Sequence, residues 1–237
     1  MNQFLPFKPI ISTIDKRLNG FILLSLSGFR QALLQYINKN DDAGILGYCN
    51  ELTLTSLFTA GLFRVDPGIT AIQEYSVSDE KGRYGRPDIF VNYQNHAIWI
   101  ESKFGRASII NHENHWDIEQ WLEWDHAIAL QQAEDYYLME QKHVNQTYEN
   151  GHFVMTLIFK EIHEVALDHI QHAESMLRTS TGISAIRSWY YDVLLLGEVD
   201  QFGKSRGLEV YGTYKGVGPS ANLSTTNSIK TSSSASY

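Results

Sequence analysis

Apolar and polar positions along the chain change period several times, and each change predicts an element. Between residues 51 and 63, Leu54, Phe58, Gly61 and Leu62 recur at intervals of three and four, the spacing of one helix face. Ahead of them, residues 21–29 form a mostly apolar run, broken by Ser25, Ser27 and Gly28 and continued through Ala32, Leu33, Leu34 and Ile37. That run reads as part of a buried helix or strand. After the breaker pair Pro67-Gly68 the pattern shortens. Residues 69–77 read as a strand, and residues 88–93 and 97–104 as two more around the polar turn Gln94-Asn95. A long helical stretch is predicted over 117–141. Residues 153–159, Phe-Val-Met-Thr-Leu-Ile-Phe, have the continuous apolar character of a buried central strand. A second helical region is predicted over 183–196. The order helix, three strands, helix, strand, helix implies an α/β domain, a central mixed sheet flanked by helices.

Composition bounds this picture. The chain has 237 residues, of which 43% are hydrophobic, enough for a real core and too many for a wholly disordered chain. Residues 1–47 read as a helical, apolar extension packed on the core, and 48–215 as the core with its C-terminal elements. Residues 216–237 are rich in Gly, Ser and Thr with Lys230 as their one charge, and read as a flexible tail. Cys49 is the single cysteine, which excludes an internal disulfide framework and a Cys-rich zinc module. The run at 21–29 is far shorter than the ~20 apolar residues that span a bilayer. It follows Asp15, Lys16 and Arg17, and no small-x-small cleavage site comes after it. A soluble cytoplasmic protein without a membrane partner is expected.

The chemistry concentrates in two strings, Arg86-Pro87-Asp88 and Glu101-Ser102-Lys103. Side chains alternate along a strand, so Glu101 and Lys103 share a face while Ile98, Ile100, Ser102 and Phe104 take the other. A hairpin centred on Gln94-Asn95 sets Asp88 directly opposite Glu101, with Cβ atoms about 5 Å apart. Two carboxylates that close repel each other, and a divalent cation removes the repulsion. Hard oxygen donors on rigid strands suit Mg²⁺ or Mn²⁺, with positions left for water and phosphate. Lys103 beside them would orient or help deprotonate an attacking water, or stabilise charge on a phosphate. The set suits hydrolysis of a phosphodiester.

Pro87-Asp88, twelve intervening residues and Glu101-Ser102-Lys103 together resemble the signature of the PD-(D/E)xK nuclease superfamily. Two flanking features extend the likeness. Glu51 shares a helical stripe with Leu54, Phe58 and Leu62, matching the acid that the superfamily places on its first helix. Gln132 and Tyr136 form a Gln-x-x-x-Tyr on the helix after the Glu-x-Lys strand, as in the RecB-like branch. The resemblance covers residues 51–159. It implies a restriction-endonuclease-like αβββαβ core, metal ligands Glu51, Asp88 and Glu101 for Mg²⁺ (or Mn²⁺), Lys103 as catalytic lysine, and Gln132 with Tyr136 supporting the site. It also implies a nuclease acting on DNA, less so on RNA, of the kind used in bacterial or phage-encoded defence, restriction or repair. Cutting both strands of a duplex would call for two sites, which a homodimer supplies.

Each feature has a plainer reading. Glu51 also suits a helix N-terminus capped by Asn50, and Gln132 and Tyr136 suit an ordinary amphipathic helix. Glu74 is either an acid supporting the site, or serving a second metal, or part of a solvated strand edge. Arg86 and Arg83 either pair with phosphates or belong to a charged loop. The runner-up reading is the same fold kept as a non-catalytic nucleic-acid or protein binding module. The pairs His112/His115 and His169/His172 lack cysteines to complete a zinc site, and Trp116, Trp121 and Trp124 fit helical packing. The net charge of -8 counts against bulk electrostatic binding of nucleic acid until it is located. Residues 107–150 hold nine acids and one base, which is the whole excess. Residues 81–106, around the two motifs, hold five bases and two acids. A bound strand is therefore expected to avoid the outer face of the 117–141 helix.

Overall fold

The computed structural model describes residues 8–12, 16–40, 49–107, 116–165, 188–199 and 205–218. In chain order they form β1 (Ile10–Ser12), α1 (Asn19–Asn40, entered through a 3-10 turn at Lys16–Leu18), α2 (Glu51–Val65), β2 (Thr70–Gln73), β3 (Val77–Ser78), β4 (Tyr84–Gly85), β5 (Ile89–Tyr93), β6 (His96–Ala107), α3 (Trp116–Thr147), β7 (Gly151–Val165), β8 (Ser188–Val199) and β9 (Ser205–Val217). Seven strands make one sheet in the order β1-β8-β9-β7-β6-β5-β2, and β3 with β4 make a separate two-stranded ribbon. β6 and β7 run parallel, joined by α3 as the crossover, and the other neighbours are antiparallel. The expected α/β architecture, a mixed central sheet flanked by helices, is what forms.

Local chemistry accounts for these elements. Asn50 caps α2, its side chain accepting the Thr53 N–H at 2.9 Å. Gln94 and Asn95 both take positive φ, 47° and 63°, the pair of left-handed residues that turns a tight hairpin. That turn sets the expected register: Ile89 faces Ile100, Phe90 faces Trp99 and Val91 faces Ile98. The sheet is covered on both sides. Phe21, Phe29 and Leu33 of α1 and Leu54, Phe58 and Leu62 of α2 bury one face, against Ile89, Val91, Ile98, Ile100, Phe153, Leu157 and Phe159. Leu130, Ala133 and Tyr137 of α3 bury the other, against Phe90, Ala97, Trp99 and Val154. Glu140 pins α3 down by accepting from Trp99 Nε1 at 3.0 Å and from the Tyr75 hydroxyl. Among the described residues, no helix is long and apolar enough to cross a membrane.

Three expectations need correction. The helix expected over 183–196 is, from residue 188 on, the strand β8, Ser188–Val199, and residues 183–187 lie outside those described. Tyr190 and Leu194 point to the α1 side, and Tyr191, Val193 and Leu195 are buried on the opposite face. A strand apolar on both faces loses the period of two, and its apolar run cannot be told from a helix. The strand expected over 69–77 ends at Gln73, because Glu74 turns the chain with φ 48° and Val77–Ser78 joins the separate ribbon. β9 runs through Gly216 and Val217, paired with Phe153 and His152, so two residues read as tail belong to the sheet. Residues 219–237 lie outside those described.

α1 and α2 cross backbone to backbone. A Cβ on Gly61 would stand 2.4 Å from the Gly28 carbonyl carbon, and one on Gly28 would stand 2.3 Å from the Gly61 oxygen. Alanine in a helix normally stabilises relative to glycine by about 1 kcal/mol. Here Gly61→Ala should reverse that sign, costing about 2 kcal/mol through forced separation of the helices. In a thermal melt the midpoint should fall by roughly 6 °C. An unchanged or raised midpoint would mean that the helices do not touch there.

Candidate active site

The site exists because two paired strands differ in length. β6 has 12 residues and β5 has five, and their ladder stops where Ile89 meets Ile100. The N–H groups of Ser102 and Phe104 point to the side that β5 has vacated, two and four residues beyond Ile100. Buried N–H groups need acceptors. Asp88 supplies one: its Oδ2 accepts the Ser102 N–H at 2.6 Å and the Ser102 hydroxyl at 2.7 Å. The Glu51 carboxylate accepts from the Phe104 N–H. Thr55, one turn after Glu51, donates its hydroxyl to the Glu51 carbonyl at 2.7 Å and lies 3.0 Å from the Ser102 hydroxyl. The first turn of α2 is thus knitted to the free edge of β6. Glu51 acts both as first-turn acid behind the Asn50 cap and as a group facing the site.

On the α3 face, Glu101 is buried and its Oε1 accepts from Lys103 Nζ at 2.8 Å. Lys103 Nζ also donates to the Ser102 carbonyl at 2.8 Å. Glu101 Oε2 is buried with no hydrogen-bond partner among the described residues. Burial first, and the charge of Asp88 second, push the Glu101 carboxyl up to about 7, against the opposing pull of Lys103. Glu51 is raised by burial, partly offset by Lys103, with Asp88 raising it further. Glu51, Asp88, Glu101 and Lys103 therefore sense one another as a single charged group.

Tyr136 braces the segment that carries Asp88. Its ring lies so close to Gly85 that a Cβ there would stand 2.6 Å from a ring carbon. Its hydroxyl accepts the Arg86 N–H, and burial with the charges of Glu101 and Asp88 pushes that hydroxyl up to about 12. Gln132, one turn earlier, is half-buried, and its Oε1 is enclosed without a hydrogen-bond partner among the described residues. Arg86 is exposed, 3.7 Å from Glu74. Arg83 is held by Asp79 at 2.6 Å and belongs to its loop. Glu74 lies beyond the end of β2, and its N–H donates to the Asp88 carbonyl at 3.1 Å.

On the α2 side a small open cleft is lined by Glu51, Leu52, Thr55, Gln73, Glu74, Asp88 and Ser102. Three of these, Thr55, Gln73 and Ser102, escape a reading by motif. Ser102 stands at the unspecified position of Glu-x-Lys. Thr55 is four residues after Glu51 on the same helix face, a spacing that gains meaning only with β6 in place. His112, His115, His169 and His172 lie outside the described residues, as do the side chains of Trp116, Trp121 and Trp124.

Among the described residues, no three His, Cys, Asp or Glu side chains are gathered into a ready-made metal cage. The donor set nonetheless fits Mg²⁺ or Mn²⁺, which bind through one or two carboxylates and keep several waters. Asp88 and Glu101 provide oxygens of the right hardness, and the orphaned, buried Oε2 of Glu101 is an acceptor that a cation would satisfy. Glu51 stands near enough to sense both lysine and aspartate charges.

The raised Glu101 carboxyl makes stability depend on pH. Its stabilising contribution is full below the unfolded carboxyl range, where the group is protonated in both states, and is lost as pH rises through about 7. Glu101→Gln, which stays neutral and still accepts from Lys103, should therefore raise the melting midpoint of divalent-free protein at pH 8 by about 5 °C. At pH 5 it should change little. Equal effects at both pH values would contradict a strained carboxylate.

No protein-family model, no curated protein and no solved structure matches the chain, so the function is argued from this geometry and its motifs.

Proposed function

We propose that the chain is a metal-dependent nuclease of the PD-(D/E)xK type, hydrolysing phosphodiester bonds in DNA in preference to RNA. The observation that carries the reading is the pairing of buried Glu101 with Lys103 beside Asp88 at the edge that β5 leaves open. In this reading α2, β2, β5, β6, α3 and β7 are the restriction-endonuclease-like αβββαβ core. Asp88 and Glu101, with help from Glu51, would hold Mg²⁺ or Mn²⁺. That cation would supply Lewis-acid charge at the scissile phosphate and make a nucleophile available near neutral pH. Lys103 is half-buried, with its ammonium held by Glu101 and the Ser102 carbonyl. From there it offers a proton donor and a positive charge to the phosphate as negative charge builds on its oxygens. Ser102 fixes the Asp88 carboxylate, and Tyr136 holds the backbone at Arg86. Arg86, exposed at the mouth, is available to a neighbouring phosphate.

A second reading is supported by one specific feature. Lys103 is already paired with Glu101, and among the described residues no three-ligand metal group stands preformed. A binding module on the same fold would look similar. Its place in bacterial or phage defence, restriction or repair, a cytoplasmic setting and a homodimer all rest on the family resemblance alone.

Purified protein with Mg²⁺ or Mn²⁺ should cleave single-stranded DNA, duplex DNA or RNA, and EDTA should abolish cleavage. Asp88→Asn and Lys103→Ala should each lower the rate at least ~100-fold while leaving the fold intact. Cleavage that survives EDTA or Lys103→Ala would sink the mechanism. Metal binding with no cleavage of any of the three substrates would favour the binding module.

A further inference from the structure

The cleft beside Asp88 holds a donor that the reaction described above does not use. Its lining is rich in acceptors: the carboxylates of Glu51, Glu74 and Asp88. Thr55 and Ser102 contribute hydroxyls, but each proton already has a protein acceptor, in the Glu51 carbonyl, in Asp88 or in the other hydroxyl. Gln73 is different. It is the last residue of β2, paired with Ile89, the residue next to Asp88. Its Nε2 is buried and has no hydrogen-bond partner among the described residues. A buried amide donor without an acceptor carries a free-energy cost that a bound acceptor would relieve.

Two further features define that acceptor. Immediately after Gln73 the chain turns sharply through Glu74, a non-glycine residue with φ 48°, whose N–H is anchored on the Asp88 carbonyl at 3.1 Å. Gln73 and Asp88 are thereby held together from both sides, by strand pairing and by the turn. At the mouth Arg86 lies 3.7 Å from Glu74 and is exposed. A group that suits this cleft carries oxygen acceptors for Gln73 and negative charge for Arg86, and shares a cation with the carboxylates. A phosphodiester has that chemistry.

We infer that Gln73 is a substrate-binding residue, its side-chain amide donating to a non-bridging oxygen of the nucleic-acid phosphate seated beside Asp88. The inference rests on the nuclease reading for the substrate, but its test separates the two. Gln73→Glu keeps the size of the side chain, removes the donor and adds a like charge to the cleft. Gln73→Leu removes the donor without adding charge. Circular dichroism and melting would establish that each variant folds, and the near-isosteric glutamate carries the test if leucine does not. Binding of a fluorescent single-stranded DNA oligonucleotide would be titrated by anisotropy with Ca²⁺, and cleavage of the same oligonucleotide followed with Mg²⁺.

Both variants should lose roughly 10-fold in affinity and in kcat/KM, with Gln73→Glu losing at least as much as Gln73→Leu. Wild-type cleavage together with unchanged binding and cleavage in both variants would overturn the inference and leave the nuclease reading standing. Wild-type binding without cleavage, weakened in both variants, would uphold the inference and remove the nuclease reading. Duplex DNA and RNA of the same sequence would be run in parallel, and a wild type that neither binds nor cleaves any of the three would overturn both.

Discussion

Ser102 and Phe104 present backbone N–H groups where β5 has run out, and two carboxylates take the place of the missing strand. Most of the site follows from that substitution. A strand partner would have offered neutral carbonyls; Asp88 and Glu51 instead bring negative charge to the same edge. Glu101 adds a third carboxylate from the neighbouring position on β6, in a buried setting, with Lys103 as its close cationic partner. Hydrogen bonding therefore fixes the acids in place, and electrostatics leaves them underneutralised. The pressure shows at Glu101, whose carboxyl is pushed to about 7 although a lysine touches it. An arrangement of this kind is rigid and charged before any ligand arrives, which is the preorganisation that polar catalysis exploits.

The scaffold keeps these groups on opposite sides of one strand. Ser102 and Phe104 turn toward α2, while Glu101 and Lys103 turn toward α3, so β6 acts as a partition with chemistry on both surfaces. The two helices must then be placed independently. α2 is set by its backbone contact with α1 at Gly28 and Gly61, which lets its first turn reach the free edge. α3 is set by Trp99 and Tyr75 through Glu140, which brings Tyr136 onto Gly85. Glycine serves the same purpose at both places, allowing an approach that any side chain would block.

Much of this was legible in the sequence wherever information was local. The turn residues Gln94 and Asn95 with alternating neighbours define the β5–β6 register as far as Ile89 and Ile100, and just beyond it Asp88 bonds the edge of β6 at Ser102. The helical stripe through Leu54, Phe58 and Leu62 likewise identifies the buried face of α2. What escaped depends on partners far away in the chain. β8 is apolar on both faces because both faces of the sheet are buried there, and its neighbours β1 and β9 do not announce themselves by pattern. Glu74 leaves its strand through a left-handed conformation that a glutamate does not advertise. Ser102 and Thr55 meet across 47 residues, so neither is informative until the fold joins them. Gln132 and Tyr136 carry a recognisable spacing, yet among the described residues it is Tyr136 whose hydrogen bond reveals what it holds.

Ser102 carries one more consequence, for how this kind of chain varies among relatives. Motif notation leaves the residue between the acid and the lysine as a wild card, open to any amino acid. Here that side chain is fully buried, donates to Asp88 at 2.7 Å and lies 3.0 Å from Thr55. A bulky residue would not fit against Thr55, and alanine would fit without supplying the proton. The backbone N–H at 102 holds the aspartate whatever the side chain, but descendants that keep the second bond need a small hydroxyl-bearing residue at position 102. The blank in the pattern is, in this protein, as tightly written as the letters on either side.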